Sequence, residues 1–134
     1  MKRLLALLPV LLLAGCGASA QPSSVDRFKG EERAVAQKVE DLQEAGEARR
    51  PEDICSKILA RALVTQLEAA GTDCRAEMEK AIEDADDFDL DVREVDVSGS
   101  TATATVRRGE DGPTETMEFT REGDEWRATA LSDG

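Results

Sequence analysis

Phe88-Asp89-Leu90-Asp91-Val92-Arg93-Glu94-Val95-Asp96-Val97 decides how this chain folds, because here the apolar period changes from that of a helix to that of a strand. Phe88, Leu90 and Val92 alternate with Asp89, Asp91 and Arg93, a period of two. The phase then slips by one residue and resumes with Val95 and Val97, which a bulge at Arg93-Glu94 within a single strand explains. Downstream, Ser98-Gly99-Ser100 turns the chain into a second strand, Thr101 to Arg108, with Ala102, Ala104 and Val106 on one face. Gly109 to Gly112 leads to a third, Thr114 to Arg121, with Met117 and Phe119 inward, and Gly123-Asp124 to a fourth, Trp126 to Leu131. Four strands joined by short turns predict an antiparallel meander.

Upstream the period is helical. Glu31 to about Gly46 carries Val35, Val39 and Leu42 on one stripe, with Glu31 and Glu32 suited to the positive end of the helix dipole. Phe28 extends the stripe backwards and would let the helix begin near Ser24, while Gly46 and the run Glu47 to Arg50 end it. Pro51 fits the first position of a second helix containing Ile54, Ile58, Leu59, Leu63, Val64 and Leu67, which propensity alone carries to about Ala70 and stops at Gly71. Thr72 or Asp73 can cap a third, with Cys74, Met78 and Ile82 in register, that ends by about Asp84.

The N-terminal fifteen residues read as a targeting segment. Lys2 and Arg3 precede an apolar run from Leu4 to Leu13 broken only by Pro9, too short for a membrane-spanning helix of about 20 residues. At its end Leu13-Ala14-Gly15-Cys16 resembles the lipobox of bacterial lipoproteins at all four positions. The resemblance implies cleavage before Cys16, a diacylglyceryl group on its thiol and further acylation of the new amino terminus, hence a membrane-anchored lipoprotein on the extracytoplasmic side of the cell envelope. The simpler alternative is an ordinary secretory signal in which Cys16 is incidental. Residues 16–30, small and polar, then form a flexible spacer, and one domain follows over residues 31–132.

Two of the three cysteines remain, Cys55 and Cys74. In an oxidising compartment an even pair reads as a disulfide. The competing readings are two buried thiols or a metal site, which would want the imidazole or further thiolates this chain lacks. A disulfide needs Cα atoms within about 7 Å. A straight helix from Pro51 to Ala70 would be about 30 Å long and would hold the pair apart. The bond therefore predicts a reversal near Leu59 to Ala62, although no Gly or Pro marks one.

The expected fold class is α+β: three helical segments on one face of a curved, four-stranded antiparallel meander. This order, with the paired cysteines and the closing run Gly123-Asp124-Glu125-Trp126-Arg127, resembles the NTF2-like superfamily, whose sheet and helices make a cone. It is most similar to small secreted or lipid-anchored members from high-GC bacteria, over residues 31–131. One departure is that no clear short strand separates the second and third helices.

The resemblance implies a cone whose mouth serves either as an enzyme pocket or as a partner or ligand pocket. Family enzymes, isomerases and dehydratases, use a His or Asp dyad, often with Tyr. This sequence contains no His and no Tyr. A Ser-His-Asp or Cys-His arrangement is thereby excluded, and the many carboxylates fall at polar positions, away from the buried setting a general base needs. The expected class is a non-catalytic module binding an envelope protein or a small apolar ligand; the alternatives are a structural envelope component or an isomerase or dehydratase acting through carboxylates. Loss of Lys2 and Arg3 with the signal would take the formal charge from −12 to −14, which disfavours nucleic acid. Phe88, Phe119 and Trp126 are the candidate lining of an apolar pocket, with core packing as the plainer reading. Asp84, Asp86, Asp87, Asp89 and Asp91 resemble a calcium ladder, but the glycine of an EF-hand loop is missing, and no metal or cofactor is expected.

Overall fold

A computed structural model describes residues 23–130; the segment 1–15, Cys16 with its lipobox-like motif, and the positions from Leu131 onward lie outside the described residues. The architecture is α+β. A 3-10 turn (Ser24–Arg27) leads into α1 (Gly30–Glu47), then a short α2 (Pro51–Asp53) continued by a π turn (Ile54–Ile58), α3 (Arg61–Ala69) and α4 (Cys74–Asp84). Four strands follow, β1 (Leu90–Ser98), β2 (Thr101–Arg108), β3 (Thr114–Glu122) and β4 (Glu125–Ala130), in the spatial order β1-β2-β3-β4, each antiparallel to the next.

The phase slip read in the sequence is a bulge. Val92 faces Val106 and Glu94 faces Thr105, which leaves Arg93 unmatched and returns Val95 and Val97 to the face of Val92, opposite Ala104 and Ala102. A second slip, between Glu118 and Phe119 where β3 meets β4, has no counterpart in the apolar pattern. The inner face carries small residues at its centre: Ala102, Ala104 and Ala128 are all buried. They let α1 approach closely, and Val35, Ala36 and Val39 of α1 reach 0% exposure there. α1 and the Pro51–Ile58 segment lie against the sheet, whereas α4 makes its main contacts with that segment and with α3.

The second helix is broken as the cysteine pair requires. Cys55 and Cys74 are bonded, with Cα atoms 6.2 Å apart. Leu59 N–H closes the π turn on Ile54 C=O at 2.9 Å, and Leu59 and Ala60 are then extended. Extension buries Ile58, Leu59 and Ala60 consecutively, which one helix face cannot do. No Gly or Pro is needed because the freed donors find partners on the sheet. Ala60 N–H donates to Ala128 C=O at 2.8 Å, and Arg61 N–H to the Glu122 carboxylate at 2.9 and 3.2 Å. Leu59 forms a single parallel bridge to Ala128.

Two boundaries differ from the sequence reading. The packed domain starts before Glu31, so residues 23–30 do not belong to a spacer. Val25 is 2% exposed, Ser24 Oγ accepts from Val92 N–H at 3.3 Å, and Arg27 donates to Val92 C=O. A single buried valine in a polar run carries too little periodicity to announce this. Gly46 does not stop α1, which continues to Glu47. Instead Arg49 takes a left-handed φ of 54°, with Arg50 N–H bonded to Ala45 C=O and Arg49 N–H to Gly46 C=O. Gly46 is required by its neighbour: a Cβ there would lie 2.5 Å from Phe88 Cδ1.

Candidate functional site

Breaking the second helix creates a cleft at the β4 edge of the sheet. Cys55, Ser56 and Leu59 form one wall, Arg61 and Val64 of α3 another, and Glu122 and Arg127 of β3 and β4 the floor, around an open volume of about 600 Å³. Its polar groups hold one another. Arg127 donates to Ser56 C=O at 2.7 Å and to Glu125 Oε2 at 2.8 Å, while Glu122 caps the first turn of α3. These charge-assisted hydrogen bonds hold the rim of the cleft in place. Leu63, Val64 and Leu67, on α3 beside it, are half-buried, and no residue of α3 is fully buried.

A second open cleft, of about 440 Å³, lies between α1 and the β1 edge. Ser23 Oγ donates to Glu40 Oε2 at 2.7 Å, Leu90 N–H to Gln43 Oε1 at 2.9 Å, and Arg107 approaches Asp91 at 3.7 Å with its Nε buried and unpaired.

The sequence-derived candidates separate in space. Phe119 and Trp126 are 2% exposed core residues on adjacent strands, and Phe88 packs on Gly46 at the far end of α1. The clefts are lined by other residues. Trp126 is fixed by Glu31, whose Oε2 accepts the indole N–H at 2.7 Å while Oε1 pairs with Arg121 at 3.1 Å. Two carboxylates of the aspartate run have structural partners: Asp87 accepts from Asp89 N–H at 2.8 Å, and Asp91 meets Arg27 at 2.9 Å and Arg93 at 2.8 Å. Among the described residues no group of three or more His, Cys, Asp or Glu is placed to hold a metal, and no helix is long and apolar enough to cross a membrane. Sequence reading missed the roles of Glu122, Arg127 and Glu31, because each acts across the fold on a partner at least 60 residues away, to which no local pattern points. Compared with known proteins, the chain matches no family model, no curated protein and no solved structure.

Proposed function

We propose that this chain is a lipid-anchored, extracytoplasmic domain of NTF2-like architecture that binds a protein partner and catalyses no reaction. The motif Leu13-Ala14-Gly15-Cys16 supports the anchor, since two or three acyl chains on Cys16 hold a protein firmly where one is marginal. The order of helices before a meander closing in Trp126-Arg127 supports the architecture. The choice of a protein over a small enclosed ligand rests on one observation. The inner face of the sheet is filled by its own side chains, whereas α3 packs Leu63, Val64 and Leu67 against the core while leaving them partly exposed, with Val64 lining the cleft beside a rim of fixed polar groups.

The test is crosslinking in intact cells, comparing the unaltered chain with Val64→Glu. Val64 is partly buried against the core, so thermal unfolding of the variant checks that the substituted chain stays folded. A discrete crosslinked species that disappears in Val64→Glu supports the reading. A species unaffected by it, or a co-purifying small molecule with no crosslink, contradicts it.

A further inference from the structure

We propose that the lipid anchor orients the domain as well as holding it, with the β1 edge of the sheet turned toward the bilayer and the β4-edge cleft turned away. This rests on the lipid-anchor reading of Cys16. A spacer of fifteen residues, as the sequence suggests, would reach about 50 Å when extended and would let the domain tumble freely. The fold shortens it from the domain side. Ser23 bonds to Glu40 of α1, Val25 is buried, and Ser24 and Arg27 take up the outward N–H and C=O of Val92. The segment thus closes part of the β1 edge, and the chain can leave the domain only there.

Between Cys16 and Ser23 there remain seven Cα steps, which span at most about 25 Å whatever their arrangement. A domain of this length has a radius of gyration of about 13 Å, which for a sphere means a diameter of about 34 Å. Turning the β1 edge outward would add the width of the sheet and of the elements beyond β4 to the distance from Ser23 to the lipid, and would hold the chain close to full extension. The short tether therefore favours the orientation with the β1 edge toward the bilayer. Three strand spacings, about 14 Å, separate β1 from β4, so the cleft at Arg61 and Glu122 stays on the aqueous side.

The experiment uses full-length protein extracted from membranes, its acylation read by mass, and reconstituted in phosphatidylcholine vesicles containing a trace of lipid with a paramagnetic headgroup. A fluorophore is placed on Glu94→Cys of β1 or on Asp124→Cys beside β4, both exposed positions. Quenching should be several-fold stronger at position 94, and inserting fifteen Gly and Ser residues before Ser23 should abolish the difference. Equal quenching at the two positions in acylated protein, or a difference that survives the insertion, overturns the orientation alone. Absence of the acyl mass overturns the anchor reading and the orientation with it.

Discussion

Glu31→Ala should weaken the fold far more than its position near an exposed helix start suggests. Two contacts end on this side chain. The first is the Trp126 indole N–H at 2.7 Å; the indole is 2% exposed, but the carboxylate that accepts from it is 48% exposed, so water can partly replace a lost acceptor. A hydrogen bond to a charged group contributes about 1.5–3 kcal/mol, with the low end applying where water reaches the acceptor. The second is the Arg121 ion pair, whose partners are 37% and 48% exposed, so it adds at most about 1 kcal/mol. The stacking of Arg121 on Trp126, 5.9 Å from the ring centroid, contributes about 0.5–1 kcal/mol and does not require Glu31. Glu31→Ala is therefore expected to destabilise by about 2 kcal/mol, a fall in Tm of about 8–15 °C for a domain of this size. Glu31→Gln keeps an acceptor and should recover more than half, while Arg121→Ala should lose about 1 kcal/mol. Denaturant unfolding followed by the fluorescence of Trp126, the single tryptophan, measures all three and reports the indole environment directly. If Glu31→Ala and Glu31→Gln unfold at the same denaturant concentration, the indole hydrogen bond is not what the acid supplies, and the reasoning fails.

Three further outcomes follow from the backbone and the disulfide. Replacing both Cys55 and Cys74 by Ser should lower stability by about 3 kcal/mol, the chain-entropy effect of closing a loop of this length, with a sequence separation of 19; calorimetry on oxidised and substituted protein reads it. Arg49→Gly should stabilise by about 0.5–1 kcal/mol, because a left-handed φ of 54° disfavours any residue with a Cβ; the equivalent end of α3 already has Gly71 at φ 80°, and an unchanged denaturation midpoint would count against the assigned conformation. Gly46→Ala should destabilise by about 1–3 kcal/mol by driving a methyl group into Phe88, and Phe88→Leu in the same chain should restore part of the loss.

Much of the fold was legible because it is encoded locally. The period change at Phe88, the bulge after Val92 and the Asp73 cap of α4 each need only a few neighbouring residues. The broken second helix became legible by a different route: propensity over Ile54 to Leu67 favours a single helix, and only the distance limit on the cysteine pair argues otherwise. What stayed hidden depends on partners far along the chain. Val25 is an isolated apolar residue until β1 is beside it, and Gly46 looks like a stop signal until Phe88 is placed against it. Glu31 reads as a dipole partner until Trp126 arrives, and the β4-edge cleft exists only because Leu59 and Ala60 leave the helix to pair with Ala128.

The central claim is that Cys16 joins this domain to a membrane, and the mass of the protein extracted intact from the membrane fraction tests it most directly. A chain beginning at Cys16 and carrying at least a diacylglyceryl group, released from vesicles only by detergent, is the predicted result. A soluble chain of unmodified mass, whether cut before Cys16 or elsewhere, would contradict it.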